Sequence, residues 1–228
     1  AIKYLQQSLA IAREIKNRKA ESAALSNLGA TYYFLGDYPK AIKYLQQSLA
    51  IAREIKNRKA ESAALSNLGA TYYFLGDYPK AIKYLQQSLA IAREIKNRQR
   101  EGESLLNLGL AYYSLGDYNK AINFYQQSLV IAKKIGDRAC KGCVLNNLGN
   151  TYHKQGKLTL AEITLREGIK VRESLRNSEL KDTEKVLFFD TQRSTYRILQ
   201  QVLIAQKKRT AALEISERGR ARAFVESL

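Results

Sequence analysis

Two cysteines lie three residues apart, as Cys140 and Cys143, and the chain holds one histidine, His153. Thiolate and imidazole are ligands that zinc prefers, and a close dithiol can also cycle with a disulfide. Zinc requires four ligands, and these residues supply three at most. A redox motif needs a thioredoxin-like context that the surrounding sequence lacks. We therefore interpret both cysteines as structural thiols, and His153 as a surface variant of the tyrosine at Tyr33 and Tyr73.

No other arrangement in the sequence is typical of catalysis. The chain has a single histidine, no distinct acid–base pair and no glycine-rich phosphate loop. These features predict no catalytic residue, no metal and no cofactor, so we expect that this chain is not an enzyme.

Asparagine recurs at a fixed spacing, as Asn27, Asn67, Asn107 and Asn147. An amide side chain both donates and accepts hydrogen bonds, so a row of amides suits a peptide backbone without demanding one sequence. Whether these asparagines form such a row depends on the secondary structure that carries them.

The whole sequence follows a period of 40 residues. Residues 1–58 match residues 41–98 letter for letter, the pattern continues with substitutions through 95–135, and a weaker copy covers 143–171. A strict period predicts a stack of small units rather than separate globular domains. The sequence starts inside a repeat and contains no methionine, so we expect it to be a piece of a longer polypeptide.

Each period predicts two helices joined by a tight turn. Apolar and small residues recur at helical spacing within 25–35 and again within 41–55. Between them, Gly36 suits a left-handed helix end, Asp37 suits an N-cap and Pro39 suits a first helical turn. Neither helix can bury both its flanks within one hairpin. Each hairpin must therefore dock on the next, which predicts an all-α solenoid.

The segment NLGATYYFLGDYPKAIKYLQQSLAI, residues 27–51, resembles a tetratricopeptide repeat (TPR). The small and large signature residues of that family match Gly29, Tyr32, Ala41 and Leu45, and the later copies hold the same places. The usual TPR period is 34 residues, so these longer copies resemble the long-helix subclass of kinesin light chains and spindle adaptors. The resemblance implies a right-handed superhelix of TPR helical hairpins with 40-residue repeats.

The copies also predict where each repeat begins and ends. Residues 1–17 are the second helix of a truncated repeat, and four TPRs, a connector and a divergent C-terminal helical pair follow. Within the pair, Phe188 and Phe189 begin two stripes at helical spacing. The TPRs cover 18–57, 58–97, 98–137 and 138–175, the connector covers 176–184, and the helical pair covers 185–228.

The final segment, FDTQRSTYRILQQVLIAQKKRTAALEISERGRARAFVESL, is similar to the segment that precedes the catalytic domain in TPR-CHAT proteins. The CHAT domain has a caspase-like cysteine peptidase fold. The resemblance implies that the repeats lead toward a CHAT domain in cis, which this sequence does not include. Any peptidase activity would then belong to the full-length protein.

The TPR resemblance also implies a binding surface. In the proteins that this sequence resembles, the first helix of each repeat lines a concave groove, and an asparagine just before the Leu-Gly pair contacts the backbone of an extended ligand. Ser26, Ser66 and Asn146 flank those asparagines here. The open alternative is that these side chains only contact neighbouring helices. The predicted groove residues are Asn27, Tyr33, Phe34, Asn67, Tyr73, Phe74, Asn107, Tyr113, Asn147 and Asn150.

The formal net charge of +17 is spread along the chain. Phosphate neutralisation drives sequence-independent binding, so the charge alone favours nucleic acid. However, Arg53, Lys56 and Arg58 are interleaved with Glu54 and Glu61, a pattern typical of a solvated edge. Glu54 and Arg58 are four residues apart and predict an exposed ion pair.

The longest apolar runs are far shorter than the roughly 18 residues that a membrane span requires, and no stretch resembles a signal peptide. We expect a cytoplasmic protein without membrane contact.

Together, these features favour a non-catalytic protein–protein interaction scaffold. It would bind a protein or an extended peptide in its concave groove and position or regulate an adjoining CHAT peptidase domain. One alternative is a self-assembling structural array, because the helix in residues 1–17 leaves an apolar face without a hairpin partner. The other is a basic solenoid that binds nucleic acid, a partner that we do not expect.

Overall fold

The computed structural model describes the backbone of residues 2–175 and 182–226 and the side chains of residues 2–174 and 193–220. Within these ranges all regular secondary structure is helical, and consecutive helices pack as hairpins. The predicted all-α hairpin fold is confirmed. The helices are α1 (Ile2–Glu14), α2 (Arg18–Phe34), α3 (Tyr38–Glu54), α4 (Arg58–Phe74), α5 (Tyr78–Glu94), α6 (Arg98–Ser114), α7 (Tyr118–Ile135), α8 (Arg138–Lys154), α9 (Leu158–Leu175), α10 (Asp182–Ala205) and α11 (Arg209–Glu226).

The chain divides into two compact units, residues 1–116 and residues 117–228. The first unit contains α1–α6, and the second contains α7–α11. Within each unit, a helix packs most extensively on the helix next to it in the chain. In the first unit, α2 also contacts α4, and α4 contacts α6, so the first helices of successive hairpins lie side by side.

Turn residues fix the ends of the helices. Gly36 adopts a left-handed φ of 77°, and the side chain of Asp37 accepts a hydrogen bond from the backbone N–H of Lys40 at 3.2 Å. The connection between hairpins is capped by asparagine, since Asn57 Oδ1 accepts from the backbone N–H of Ala60 at 3.1 Å. Each cap satisfies an N–H group that the first turn of a helix leaves unpaired.

Small residues on the first helix of each hairpin let the second helix approach closely. A Cβ atom on Gly29 would lie 2.6 Å from Leu45 Cγ, and one on Gly69 would lie 2.5 Å from Leu85 Cγ. Both leucines are fully buried. Glycine is needed at these places because the interior is close-packed, not because the backbone adopts an unusual conformation.

In the second unit, polar side chains join the C-terminal helices to the repeat helices. Thr195 Oγ1 donates a hydrogen bond to Asn146 Oδ1 at 2.8 Å, and both side chains are buried. The Tyr196 hydroxyl donates to Glu173 at 2.7 Å, and Arg218 pairs with the same carboxylate. These bonds join α10 and α11 to α8 and α9. Asn146, predicted to flank the groove, therefore serves packing instead.

Part of the C-terminal prediction falls on residues outside the described ranges. Most of the predicted connector, 176–184, and the side chains of Phe188 and Phe189 are among them, as are the side chains of 221–228 at the end of the CHAT-like segment. The repeat boundaries and the CHAT resemblance stay predictions. No helix in the described ranges is long and apolar enough to span a bilayer.

Ion pairs connect the two helices of a hairpin, and here the prediction was wrong. Glu54 ends α3 and Arg58 begins α4, so a turn separates them and the i, i+4 rule for one helix does not apply. Glu54 instead accepts a hydrogen bond from Arg18 Nε at 3.0 Å. Arg58 pairs in the same way with Glu94, at 3.0 Å. Each pair joins the two helices of one hairpin.

A buried glutamate lies in the first turn of α2, α4 and α6. Glu101 is 5% exposed and accepts hydrogen bonds from Arg93 Nε at 2.9 Å and Arg98 Nη1 at 2.6 Å. Burial opposes ionisation, but the two guanidinium groups outweigh it and hold the pKa of Glu101 below its ordinary value. Glu21 and Glu61 are buried at the same place in the earlier copies. The edge that the sequence predicted to be solvated is therefore partly buried and ion-paired.

Candidate functional site

Helices α2, α4 and α6 of the first unit line a groove of about 350 Å³. They are the first helices of three successive hairpins, and the contacts of α4 with α2 and α6 hold them side by side. Six of the ten predicted groove residues line this groove. They are Tyr33, Phe34, Asn67, Tyr73, Phe74 and Asn107.

The other four predicted residues lie elsewhere. Asn27 is exposed on α2 but does not line the groove, and Tyr113 is half-buried on α6 outside the lining. Asn147 and Asn150 are half-buried on α8, in the second unit. Their role in binding stays a prediction.

Aromatic rings from two repeats form one wall of the groove. Tyr33 packs edge-on against Phe34 and Phe74, with ring centroids 5.2 Å and 5.5 Å away. Phe74 also packs against Tyr73, at 5.3 Å, and nearly parallel to Tyr38, at 6.3 Å. These contacts fix the rings. Phe34 nevertheless remains 83% exposed and Phe74 56% exposed, so both offer apolar surface.

One phenol group in this wall has a raised pKa. Burial, with the neighbouring phenols of Tyr38 and Tyr73, raises the pKa of Tyr33 above its ordinary value. The hydroxyl of Tyr73 accepts a hydrogen bond from Ser114 Oγ at 3.3 Å. The hydroxyl of Tyr33 therefore stays uncharged at neutral pH.

The amides of Asn67 and Asn107 lie in the same groove. Thr71 Oγ1 donates to the backbone oxygen of Asn67 at 2.7 Å, a bond that leaves the amide side chain unused. Neither amide has a hydrogen-bond partner among the described residues. Each can therefore donate to and accept from the backbone of a bound segment.

The family model of the tetratricopeptide repeat matches residues 1–54, 60–134 and 103–174. The chain belongs to the TPR family. The predicted resemblance of its repeats to TPRs is confirmed, and the family model covers helices up to residue 174. No curated protein matches the chain.

Solved structures share this TPR fold at low sequence identity. BtubC (BKLC) from P. vanneervenii superposes with a TM-score of 0.85 at 20% identity, over 100% of this chain and 91% of that one. A putative kinesin light chain of Podosopora anserina with nearly identical TPR-like repeats has a TM-score of 0.68 at 20% identity, over 87% and 93%. NprR in complex with its cognate peptide NprX has a TM-score of 0.64 at 16% identity, over 96% and 61%.

The third TPR supplies a second wall that the sequence prediction missed. Arg100 Nη1 donates to the carboxylate of Glu103 at 2.8 Å, and Leu106 and Leu110 also line the groove. All four replace alanine or serine of the two identical TPRs before them. Aligning the copies with each other would have found them, because these four substitutions share one face of α6.

The cysteines and the histidine lie on α8 of the second unit. Cys143 Sγ lies 3.8 Å from Arg172 Nη2, and burial raises the pKa of this thiol despite the guanidinium. Burial also lowers the pKa of His153, whose Nδ1 has no partner among the described atoms. The described residues contain no group of three potential metal ligands. The interpretation of Cys140 and Cys143 as structural thiols stays a prediction.

Proposed function

We propose that this TPR chain is a non-catalytic interaction scaffold that binds a protein or an extended peptide in the groove of its first unit. One observation carries the proposal. The groove brings two unpaired amides, on Asn67 and Asn107, together with the exposed rings of Phe34 and Phe74. An extended peptide can bind to both kinds of group, since its backbone forms hydrogen bonds with the amides and its apolar side chains pack on the aromatic rings.

The second wall adds selectivity for the ligand. Leu106 and Leu110 extend the apolar surface, whereas Arg100 and Glu103 neutralise each other at 2.8 Å. Successive side chains of an extended ligand point to opposite sides, so consecutive apolar residues would reach the two walls while the backbone faces the amides. NprR, whose fold this chain shares, was solved with a bound peptide, and this supports a peptide ligand.

The ion pairing supports a protein ligand over nucleic acid. Arg18 and Arg58 pair with glutamates on the second helix of their own hairpin, and Arg93 and Arg98 enclose Glu101. Cations that already have carboxylate partners release fewer counterions when they meet a phosphate. The net charge therefore overstates the positive surface that this chain offers to nucleic acid.

We also propose that the array positions or regulates a CHAT peptidase domain in cis, in a cytoplasmic full-length protein. The similarity of residues 189–228 to the segment that precedes CHAT domains supports this part. The reading frame that follows the codon for Leu228 in the gene tests it. A downstream frame without a caspase-like domain would contradict it.

A peptide-capture experiment tests the groove. The full chain is screened against an immobilised library of extended peptides, and the best binders are titrated against variants. We expect Asn67→Ala combined with Asn107→Ala to weaken binding at least tenfold, because each buried backbone hydrogen bond contributes about 1 kcal/mol. Circular dichroism should show unchanged helicity.

Asn123→Ala is the control, since it changes the same residue type at an exposed place on α7, in the second unit and outside the groove lining. It should bind as the parent does. Equal affinity of the double variant and the parent, or an equal loss in Asn123→Ala, would show that the amides of the groove do not bind the peptide.

A further inference from the structure

The aromatic wall of the first-unit groove repeats at the step of the TPRs. The ring centroids of Tyr33 and Phe74 are 5.5 Å apart and those of Phe74 and Tyr73 are 5.3 Å apart, so the equivalent rings of Tyr33 and Tyr73 lie within about 11 Å of each other. Packed helices lie about 8–10 Å apart, and α4 contacts both α2 and α6. The groove therefore presents the same chemistry again after each such step.

This step distinguishes the forms that a peptide ligand can take. In a β-strand, side chains on one face recur every two residues, about 7 Å apart. In a polyproline II helix, they recur every three residues, about 9 Å apart. A strand falls out of step with the TPRs after one repeat, whereas a polyproline II segment presents the same face to each. An α-helical ligand pairs its own backbone groups and would leave the amides of Asn67 and Asn107 unused.

The polar groups of the groove also match a polyproline II segment. The amides of Asn67 and Asn107 each offer N–H donors, and the hydroxyl of Tyr33 has no hydrogen-bond partner within the described part of the chain. The hydroxyl of Tyr73 accepts from Ser114 and keeps its own hydrogen to donate. A polyproline II backbone makes no internal hydrogen bonds, and each proline removes one N–H, so the segment presents mostly carbonyl acceptors. Donors in the groove thus meet acceptors in the ligand.

The charge of the groove is balanced. Arg100 Nη1 donates to the carboxylate of Glu103 at 2.8 Å, and these two are the charged side chains among the described residues that line the groove. The phenol of Tyr33 stays uncharged at neutral pH. This balance complements an uncharged segment and favours neither an acidic nor a basic one.

The third TPR ends the run of exposed rings. Ser114 holds the place that Phe34 and Phe74 hold in the two TPRs before it. On α6, the groove is lined instead by Leu106 and Leu110. The aromatic wall therefore covers two TPRs, which corresponds to two polyproline II turns, or about six residues of ligand.

We propose that the ligand of this groove is a proline-rich segment of a partner protein in the polyproline II conformation, an inference that rests on the proposed function. Two prolines three residues apart pack on the wall of Tyr33, Phe74 and Tyr73, and the carbonyl groups between them accept from Asn67 and Asn107. Proline restricts such a segment before it binds, so little conformational entropy is lost in the groove.

The probe is a fluorescent peptide of four Pro-Pro-Ser triplets, which is uncharged and favours polyproline II. The comparison peptide consists of six Val-Ser pairs. It has the same length and no charge, but its apolar side chains recur at strand spacing. Fluorescence anisotropy with the full chain should show saturable binding of the proline peptide. The valine peptide should bind at least tenfold more weakly.

Phe74→Ala removes a ring that is 56% exposed in the wall, and it should weaken binding of the proline peptide at least tenfold. Tyr4→Ala is the control, because Tyr4 is an aromatic residue 76% exposed on α1, in the first unit and outside the groove lining. It should bind the proline peptide as the parent does. Circular dichroism checks that both variants fold.

Absence of saturable binding of the proline peptide would overturn the proposal. Equal affinity of the chain for the valine peptide, or of the Phe74→Ala variant and the parent for the proline peptide, would overturn it too. The library screen separates these failures from failure of the proposed function. Peptides without proline that bind the parent, and bind more weakly to Asn67→Ala combined with Asn107→Ala, would contradict the polyproline II ligand alone and leave the groove as a peptide site.

Discussion

Replacing Gly69 with alanine tests whether close approach of α4 and α5 stabilises the array. The added Cβ would lie 2.5 Å from Leu85 Cγ, 2.8 Å from Leu85 Cδ2 and 3.2 Å from the carbonyl oxygen of Ala81. Leu85 is fully buried, so its branched end has no free space to enter. Overpacking costs about 1–3 kcal/mol, whereas Gly→Ala in a helix gains about 0.5–1 kcal/mol. We expect Gly69→Ala to lower the free energy of unfolding by about 1–2 kcal/mol.

A double-mutant cycle separates the clash from other effects. Leu85→Ala alone removes a fully buried side chain and should cost about 2–5 kcal/mol. In the double variant, the new methyl group at position 69 fills part of the vacated space. The double variant should therefore be more stable than the sum of the single changes predicts, by about 1–2 kcal/mol.

Urea unfolding is monitored by far-ultraviolet circular dichroism for the full chain, the two single variants and the double variant. Repeat arrays can unfold in stages, so the transition of the first unit is fitted by itself where two transitions separate. Additive free energies in the cycle, or a Gly69→Ala variant as stable as the parent, would refute the close-packing argument.

Two other perturbations test the buried glutamate and the helix cap. Glu101→Gln should lower the free energy of unfolding at pH 7 by about 2 kcal/mol, because a neutral amide accepts more weakly from Arg93 and Arg98. The pKa of Glu101 is lowered in the folded chain, so its contribution is present above the ordinary value of 4.5 and is lost as the pH falls through the folded value. Unfolding titrations should show less loss of stability on acidification in Glu101→Gln, and an unchanged pH profile would contradict this. Asn57→Ala removes the acceptor for the N–H of Ala60 and should cost about 1 kcal/mol in thermal or urea unfolding, and Asn57→Ser should recover most of it.

Local chemistry made the hairpins predictable from the sequence. Gly36 and Asp37 act on backbone groups within a few residues, so their roles do not depend on packing between helices. The small residues at Gly29 and Gly69 could be recognised because the same letters recur at the same phase of the helix.

Side-chain contacts between different helices could not be predicted. The partner of Glu54 is Arg18, 36 residues away, and only the docking of α2 on α3 brings them together. The sequence placed Glu61 on a solvated edge because charged residues are usually exposed, yet two arginines allow its burial. The groove wall at Leu106 was missed because the prediction used the residues that recur in every copy, whereas Leu106 occurs in one copy and replaces Ser66.

The two hairpins of the first unit also bear on how the chain finds its fold. Residues 18–54 repeat as 58–94, so a hairpin docked one place out of order would make the contacts of the correct arrangement. Such shifted or exchanged forms compete during folding unless some residue distinguishes the copies. Gly102 in place of Ser62 and Leu106 in place of Ser66 are among the residues that do so. The substitutions in α6 that shape the groove therefore also fix the register, and a chain with all its repeats made identical should fold into a mixture of shifted species.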